Sequence, residues 1–317
     1  MPLRHTSNPI YAPSHSVASN SRSAPMKALI FGAAGQDGQY MARLLDEKAI
    51  DWLGVARHPG FLQGDVADGE FVSRLVAEYR PTHIFHFAAK STTQHEVLIE
   101  NHRAISTGTV NILEAARLST TTARIFLSGS ALQLKNTGAP IDEAAAPDPS
   151  SAYAASRIHA LFSARYFRQQ FGLLVYFGYF FNHDSELRGP QHVNRLIIDT
   201  ATRIAAGSNE KLTIGDPTVR KEFNYAGDMM RAVWTLVNQD RSFEAVIGSG
   251  EAHSLHEWID YCFGRLGLVA RDHVVTDPTF RADYPVLVSD PSLIRGLGGA
   301  PTIGFQELAN IMMEPRA

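Results

Sequence analysis

The 317-residue sequence has very little cysteine and no long apolar run. Its single cysteine, Cys262, excludes an intramolecular disulfide and is typical of a reducing compartment. No apolar run approaches the roughly 20 residues that a membrane-spanning helix needs, and no secretory apolar segment is recognisable. These absences predict a soluble, cytoplasmic protein with no membrane partner.

The sequence also lacks an excess of positive charge. It has 29 lysine and arginine residues against 32 aspartate and glutamate residues, which gives a formal net charge of -3. Without a basic surface the chain has little attraction for the phosphates of nucleic acid, so no nucleic-acid partner is expected. Its 44% hydrophobic and 19% charged content is that of a globular chain long enough for one large or two medium domains.

Acidic residues are absent from residues 1–25, which are rich in serine and proline and follow no helical or strand period. Such a composition predicts a disordered N-terminal arm. A transit peptide is also poor in acidic residues, but the arginines of this segment show no amphipathic pattern. The folded part of the chain is therefore predicted to begin at Met26.

From Met26 onward, short apolar runs alternate with segments whose apolar residues recur at helical spacing. This alternation is typical of βαβ units and predicts an α/β fold with a doubly wound parallel Rossmann sheet over residues 26–181. Over residues 182–317 the pattern loosens, which predicts a smaller C-terminal α/β lobe and a ligand crevice between the lobes. The predicted strands cover 27–34, 51–56, 83–89, 123–130, 173–181 and 211–215, and the predicted helices cover 38–49, 70–80, 105–118, 151–171, 226–237 and 305–313.

The first predicted strand runs into the glycine-rich stretch GAAGQDG. Gly32, Gly35 and Gly38 leave room for a backbone turn that approaches a pyrophosphate at a helix N-terminus. A tight turn without a ligand is the alternative, but the strand–loop–helix context favours a dinucleotide site. Gln36 and Asp37, between the last two glycines, belong to the same predicted cofactor site.

The end of the second predicted strand indicates which dinucleotide binds. An acidic residue there would accept hydrogen bonds from the adenosine ribose of NAD, whereas this sequence has Arg57 and His58. A guanidinium suits the 2′-phosphate of NADP, so NADP is expected and NAD is the less favoured cofactor; a solvated loop arginine is the alternative. The other predicted cofactor contacts are Asp65 and Val66 at the adenine, and Phe87, Ala88, Ala89 and Ser91 along the rest of the cofactor.

Several ordered segments resemble one known family. They are GAAGQDGQYMARLL, GDVAD, FHFAAKS, VYFGYFFNHDSELRGPQHVNRLI, VRKEFNYAGDMMRAVW and GSGEAHSLHEW. From about Lys27 to Met313 the chain is similar to the extended short-chain dehydrogenase/reductases and, among them, to the GDP-mannose 4,6-dehydratase family. The Gln-Asp pair between glycines and the Asn-His-acid-Ser stretch are specific points of agreement.

This resemblance implies an NADP-binding domain over 26–181, a mainly nucleotide-sugar-binding lobe over 182–317, and a GDP-hexose substrate. In the family the C4 hydroxyl is oxidised, water is eliminated across C5–C6, and the hydride returns to C6. No metal is implied, and a solvated surface role is the alternative for each isolated basic residue. The implied substrate contacts are Asn182 at the pyrophosphate, Val193 and Arg195 near the nucleotide, Lys221 or its neighbour Arg220 at the phosphates, and Arg281 at the ribose.

The resemblance also implies a catalytic centre built on Tyr153. In this family a tyrosine made acidic by a nearby cation takes the proton from the C4 hydroxyl. Arg157 stands one helical turn on, where the family has lysine; its fixed charge still favours a phenolate, but it closes any lysine proton relay. Tyr153 and Arg157 are also implied to bind the cofactor, because the guanidinium can still donate to the ribose hydroxyls. Ser128 and Ser130 are predicted to supply the hydroxyl hydrogen bond to the sugar.

Two positions depart from the family pattern Ser-Thr-Ser-Glu-Leu-Tyr-Gly. Gly129 replaces the catalytic threonine, and Ala131 replaces the glutamate that removes the C5 proton. Dehydration then needs another acid, such as Glu96 or Asp184, whereas reduction of a 4-keto sugar or epimerisation does not. A catalytically silent homologue that binds NADP(H) or a nucleotide sugar is the alternative of another class.

A short loop after Arg57 predicts the oligomeric state. The stretch RHPGFLQGD has no room for the longer insertion that, in the family, crosses between the subunits of a tetramer. We therefore expect a homodimer, with the segments TGTVNILEAARL and YAASRIHALFSARYF offering apolar faces for a four-helix seam. Packing of those faces on the sheet alone is the alternative.

Overall fold

A computed structural model describes residues 25–119 and 122–314, so the predicted disordered arm lies outside the described residues apart from Pro25. None of the helices in these described ranges is long and apolar enough to cross a membrane. The strands are β1 (Lys27–Phe31), β2 (Asp51–Ala56), β3 (Leu62–Gln63), β4 (His83–His86), β5 (Arg124–Ser130), β6 (Leu174–Phe180), β7 (His183–Asp184), β8 (Leu212–Ile214), β9 (Arg220–Glu222), β10 (Asn224–Tyr225), β11 (Glu244–Ile247), β12 (Ala252–Ser254), β13 (Val274–Thr276) and β14 (Val286–Leu287). The helices are α1 (Gln36–Glu47), α2 (Gly69–Tyr79), α3 (Leu98–Asn101), α4 (Gly108–Leu118), α5 (Ala152–Phe171), α6 (Val193–Ala205), α7 (Ala226–Val237), α8 (Leu255–Arg265), α9 (Ser292–Gly296) and α10 (Phe305–Met313), with a π-helical segment (His102–Thr107) between α3 and α4.

Seven strands form one parallel sheet in the order β11-β6-β5-β4-β1-β2-β3. The central strands β1, β4 and β5 are buried at nearly every position, because helices cover both faces of a parallel sheet. The strand order reverses between β1 and β4, which is where doubly wound sheets bind ligands. The predicted doubly wound Rossmann fold is confirmed, and the predicted strands of this sheet are all present.

Helices cover the two faces of this sheet. On one face α2, α4 and α5 bury Val72, Ile112 and Leu161 against it. On the other face α1 and α7 bury Met41 and Val233. The helical spacing of apolar residues in the sequence therefore predicts correctly which side chains reach the core.

The chain beyond residue 182 contributes to both parts of the molecule. α7 packs on the large sheet, and β11 forms its edge strand beside β6. The other elements enclose a second core around Ile197, Trp258 and Phe263, to which α6, α8 and α10 contribute. The C-terminal stretch thus builds the smaller lobe and also completes the large sheet.

Candidate active site

Close backbone approach shapes the glycine-rich loop after β1. Gly32 has a φ of 90°, and a Cβ at this residue would lie 2.6 Å from the backbone nitrogen of Ala88. A Cβ on Gly38 would lie 2.3 Å from the carbonyl oxygen of Gly32. α1 therefore begins directly against the ends of β1 and β4, with Gly35 as its N-cap residue. Backbone N–H groups at such a helix N-terminus suit a pyrophosphate.

A first cavity, of about 580 Å³, opens beside this loop. Its walls come from the glycine loop, the ends of β2 and β4, the loop after β3, and α3 with the π-helical segment. Such a volume suits part of a dinucleotide. The predicted cofactor residues that line it are Gly32, Gly35, Arg57, Asp65, Val66, Phe87, Ala88 and Ala89, together with His58.

Basic side chains surround the first cavity, with Arg57, Lys90 and Arg103 in its walls. Nη2 of Arg57 donates to Oε1 of Glu100 at 2.8 Å, and Nη2 of Arg103 lies 3.5 Å from a carboxylate oxygen of Asp65. Both pairs are exposed, so each adds little to stability and leaves its cation available to a phosphate. Lys90 lies in the FHFAAKS segment, which was predicted to contact the cofactor. No sequence motif indicated Arg103, because only the fold brings this residue to the first cavity.

A second cavity, of about 450 Å³, lies at the carboxyl ends of β5 and β6. Phe87 lines both cavities, so the two meet just beyond the end of β4. Residues that are far apart in the chain come together here. The predicted site residues in its walls are Asp37, Ser91, Ser128, Ser130, Tyr153, Arg157, Asn182, Val193 and Lys221.

Tyr153 and Arg157 form a hydrogen-bonded pair at the start of α5. The hydroxyl of Ser151 caps the helix by accepting the N–H of Ala154 at 3.1 Å, which places Tyr153 in the first turn. Nε of Arg157 donates to the phenol oxygen of Tyr153 at 3.2 Å, and its Nη1 donates to Oγ of Ser128 at 2.9 Å and to the Ser128 carbonyl. A charge-assisted bond of this kind strengthens when the phenol oxygen becomes negative. The predicted helical-turn spacing of the pair is therefore realised as a direct contact.

Position 129 cannot hold a side chain in this arrangement. A Cβ at Gly129 would lie 2.2 Å from Cε1 of Phe177 on the neighbouring strand β6. Side chains alternate along a strand, so Ser128 and Ser130 lie on the opposite face from this position. Ala131, at the position of the family glutamate, is buried in the cavity wall and supplies no carboxylate. Positions 129 and 131 therefore supply neither a hydroxyl nor a carboxylate to the second cavity.

Neither of the two acids considered as substitutes is free for proton transfer beside Tyr153. Asp184 lines the second cavity but accepts from Nε of Arg188 at 2.5 Å and from Nδ2 of Asn194 at 2.6 Å. Burial would raise the pKa of Asp184, but the positive charges of Arg188 and Lys221 outweigh burial and hold its pKa below the usual value. Glu96 is exposed and lies outside the walls of both cavities.

Among the described residues, Asn182 Oδ1 accepts no hydrogen bond and Lys221 forms no ion pair, although the Lys221 ammonium lies 5.2 Å from the centre of the Phe223 ring. The Asn182 oxygen is also buried. Lys221 is 6% exposed and lies more than an ion-pair distance from every described carboxylate. Burial lowers the pKa of Lys221 to about 8, although the Asp184 carboxylate opposes the shift. A buried ammonium without a counter-ion is costly, so this position suits an anionic ligand.

Two predicted substrate residues lie elsewhere. Nη2 of Arg195 pairs with Asp199 one turn along α6 at 2.6 Å, and its Nη1 donates to the carbonyl of Met312 at 2.7 Å. Arg281 is exposed and donates to backbone carbonyls of its own loop. Neither residue lines either cavity. Arg195 is on the side of α6 that meets α10, and Arg281 lies in an exposed loop. Arg220, the alternative to Lys221, is exposed and contacts Glu257.

Other functional groups in the second cavity were missed by reasoning from the sequence. His192, at the start of α6, is partly buried, and burial lowers its pKa. Tyr284 and Asp283 reach the cavity from the loop before β14, and burial raises the pKa of Tyr284 to about 12. His192 was visible within the stretch RGPQHVNRL, but the sequence gives no signal that the loop around residue 284 folds back onto β5 and β6.

Comparison with known proteins completes the description. The parallel sheet, the glycine loop and the Tyr153–Arg157 pair define a protein of the extended short-chain dehydrogenase/reductase class. A family model described as GDP-mannose 4,6 dehydratase matches residues 29–312, and the chain belongs to this family. It is similar to GDP-mannose 4,6 dehydratase 2 of Arabidopsis thaliana, with 29% identity over 319 aligned residues that cover 90% of this chain and 86% of the relative. The predicted resemblance is confirmed.

Solved structures support the same fold. The UDP-glucose 4-epimerase of Thermus thermophilus in complex with NAD has a TM-score of 0.80 and 22% identity, covering 91% of this chain and 98% of the other. RMD from Pseudomonas aeruginosa in complex with NADPH has a TM-score of 0.81 and 18% identity, covering 91% and 97%. At this level of identity the similarity establishes the fold and not the reaction.

Proposed function

We propose that the protein is an NADP-dependent enzyme that acts on a GDP-linked hexose, with Tyr153 as the acid–base group at the C4 oxygen. The single observation that carries this proposal is the Tyr153–Arg157–Ser128 hydrogen-bond chain in the wall of the second cavity. When bound, the oxidised nicotinamide accepts a hydride and the reduced form returns it. For the oxidation at C4, the chain must then bind the sugar, hold it and take the hydroxyl proton; elimination of water requires a further acid–base group.

Tyr153 performs the proton step in this proposal. Its phenolate oxygen takes the proton of the C4 hydroxyl while the Nε–H of Arg157 supports the negative charge. Because a guanidinium does not lose its proton, the proton must leave or enter by way of solvent or the ligand. Ser130 lies in the wall of the same cavity, where its hydroxyl is available to the sugar oxygen.

NADP is the proposed cofactor because of the charges around the first cavity. Arg57 and Arg103 stand in its walls as exposed cations, with Lys90 beside them. A 2′-phosphate would replace Glu100 as a partner of Arg57 at little cost, since exposed ion pairs are weak. NAD has no 2′-phosphate and therefore cannot replace Glu100 as the partner of Arg57.

The nucleotide sugar is proposed to bind by its diphosphate at Asn182 and Lys221. Both line the second cavity, and the buried ammonium of Lys221 forms no ion pair with a described carboxylate, while the side-chain amide of Asn182 can donate through its Nδ2. The choice of guanine as the base rests on the relatives, which are named GDP-mannose 4,6-dehydratases.

A second candidate is reduction of a 4-keto nucleotide sugar, or epimerisation. It is favoured by the crowding at Gly129 and the absence of a carboxylate at Ala131, which remove the groups that eliminate water in the family. Hydride transfer with Tyr153 needs neither group. Elimination instead requires an acid–base group that Asp184, held by Arg188, is poorly placed to supply.

The decisive test is the mass of GDP-mannose after incubation with the purified protein and NADP+. A product lighter by one water establishes dehydration. Unchanged GDP-mannose together with reduction of a GDP-4-keto-6-deoxyhexose by NADPH establishes the second candidate. Bound NADP(H) with no reaction in either assay, and no difference between wild type and Tyr153→Phe, identifies a binding protein without turnover and overturns the enzyme proposal.

A further inference from the structure

The Gln-Asp pair of the glycine loop faces away from the first cavity and towards the segment that follows β6. Nε2 of His183 lies 2.9 Å from Oδ1 of Asp37, and the hydroxyl of Ser185 donates to Oε1 of Gln36 at 2.8 Å. The side chain of His183 is only 11% exposed. Gln36 and Asp37, both predicted to lie at the cofactor, therefore also contact the segment that forms the wall of the second cavity.

The hydrogen bonds of His183 determine its charge. Its Nδ1 lies 2.8 Å from the carbonyl oxygen of Phe181, and its Nε2 faces the carboxylate of Asp37. The carbonyl oxygen accepts, and so does an ionised Asp37 carboxylate, so this geometry fits an imidazolium with a proton on each ring nitrogen. Burial would lower the pKa of His183, but Asp37 outweighs burial and raises it. In return the pKa of Asp37 falls to about 2, with His183 and Arg188 overcoming the opposite effect of burial.

Asp37 lies in the first turn of α1, beside the backbone N–H groups that suit the cofactor pyrophosphate. An uncompensated carboxylate there would repel the phosphates and compete with them for the positive end of the helix dipole. His183 comes from a different part of the chain, and its segment also forms the wall of the second cavity. We propose that the His183 imidazolium is a positioning residue that neutralises Asp37 and so makes the N-terminus of α1 competent to bind the cofactor pyrophosphate.

The charged surroundings of His183 are mixed. Asp37 faces it from α1, while Arg188, Asp184 and His192 act on it from its own segment and the start of α6. Arg188 donates to the His183 backbone carbonyl and pairs with Asp184, so its charge is already balanced. Asp37 is thus the carboxylate that His183 compensates. This inference rests on the proposed cofactor binding and explains how a loop with an acidic residue achieves it.

The test is a double-mutant cycle on the dissociation constant of NADP+. His183→Gln is expected to weaken binding about tenfold, because Asp37, in the first turn of α1, then loses the cation in direct contact with it. Asp37→Asn is expected to bind NADP+ about as well as the wild type. The double variant His183→Gln/Asp37→Asn is expected to regain most of the NADP+ affinity that His183→Gln loses. A double variant as weak as His183→Gln, or an unaltered His183→Gln, overturns the inference.

Glu186→Gln provides the matched control. Glu186 contacts Tyr40 and Arg43 on the next turns of α1, from the same segment as His183 but farther from the helix N-terminus. Its loss is expected to change NADP+ affinity less than twofold. A tenfold loss in this control would mean that any disturbance of the contact between α1 and this segment weakens binding, which also overturns the proposed role of the charge.

The charge itself is measured by ¹⁵N NMR of histidine-labelled protein, with His183→Gln to assign the signal. Both nitrogens of His183 are expected to be protonated at pH 7.5 in the wild type, and one of them in Asp37→Asn. A neutral His183 in the wild type overturns the inference. Wild-type protein that binds neither NADP+ nor NAD+ overturns the proposed function as well, whereas normal wild-type binding with an insensitive His183→Gln overturns this inference alone.

Discussion

The two cavities differ in how their charges are held. In the first, Arg57 forms an ion pair with Glu100, and their side chains are 66% and 36% exposed. In the second, Arg188 forms an ion pair with Asp184, and their side chains are 14% and 8% exposed. Exposed pairs exchange partners easily, whereas a buried pair that loses one partner leaves an uncompensated charge. The exposed pairs of the first cavity therefore suit the proposed exchange with a phosphate, whereas the buried pair of the second cavity is a fixed polar frame.

The positions that depart from the family pattern all belong to the second cavity. Gly129 lies on β5, Ala131 directly follows that strand, and Arg157 lies on α5. The loop beside the first cavity keeps its three glycines. We therefore expect the proposed cofactor binding and the proposed sugar chemistry to be separable in this fold. The four predictions below test that separation, beginning with the largest expected effect.

Tyr153→Phe should abolish the chemistry of the second cavity without affecting the first. Loss of the acid–base hydroxyl is expected to lower kcat about a thousandfold, while NADP+ affinity changes little. Steady-state kinetics and calorimetric titration with NADP+ measure the two quantities. Tyr284→Phe, in the same cavity, is the control and is expected to cost less than tenfold; equal losses in both variants would contradict the role of Tyr153.

Gly32→Ala should break the first cavity through the backbone. The new Cβ would meet the backbone of Ala88, which cannot move aside, so we expect a loss of about 3 kcal/mol in the free energy of unfolding. Gly60 has a similar positive φ of 97° with nothing near its Cβ position. Gly60→Ala should therefore cost only about 1 kcal/mol. Urea denaturation that gives the same loss for both would show that φ, and not close approach, sets the effect.

Lys221 should make nucleotide binding in the second cavity depend on pH. Burial lowers its pKa to about 8, so the ammonium is present below that pH and is lost above it. GDP affinity is expected to fall roughly tenfold between pH 7 and pH 9. The free energy of unfolding should rise above pH 8, because the unfolded chain then binds more protons than the folded one. Lys221→Arg stays charged, so calorimetric titration should give a flat profile; a fall of the same size in this variant would exclude Lys221 as the cause.

Arg57→Ala should give the smallest effect, confined to cofactor choice. Losing an exposed cation at the first cavity is expected to weaken NADP+ binding about fivefold and to leave NAD+ binding unchanged. Arg74→Ala, on α2 and outside both cavities, is the control with the same charge change. Equal weakening of NADP+ and NAD+ would show that Arg57 does not contact the 2′-phosphate.

The sequence predicted the fold well for local reasons. Apolar runs that end in glycine, and helices with regular apolar spacing, specify parallel strands and the faces that cover them. It also predicted the Tyr153–Arg157 contact, because a spacing of one turn fixes the distance between two side chains on a helix. Arg195 shows the limit of this reasoning. Its place in a segment that resembles the family predicted a contact with the substrate. In the structure Arg195 instead pairs with Asp199 and donates to the carbonyl of Met312.

What the sequence by itself determined is therefore the framework: the order of strands and helices, the glycine loop, and the catalytic helix with its tyrosine and arginine. Tertiary structure alone decided which distant side chains share a cavity. It brought Arg103 to the first cavity and Tyr284 to the second, and it placed His183 against Asp37. Helices and strands follow from interactions between near neighbours in the chain, whereas these contacts depend on packing between distant segments. His183 and Asp37, for example, are more than 100 residues apart in the sequence.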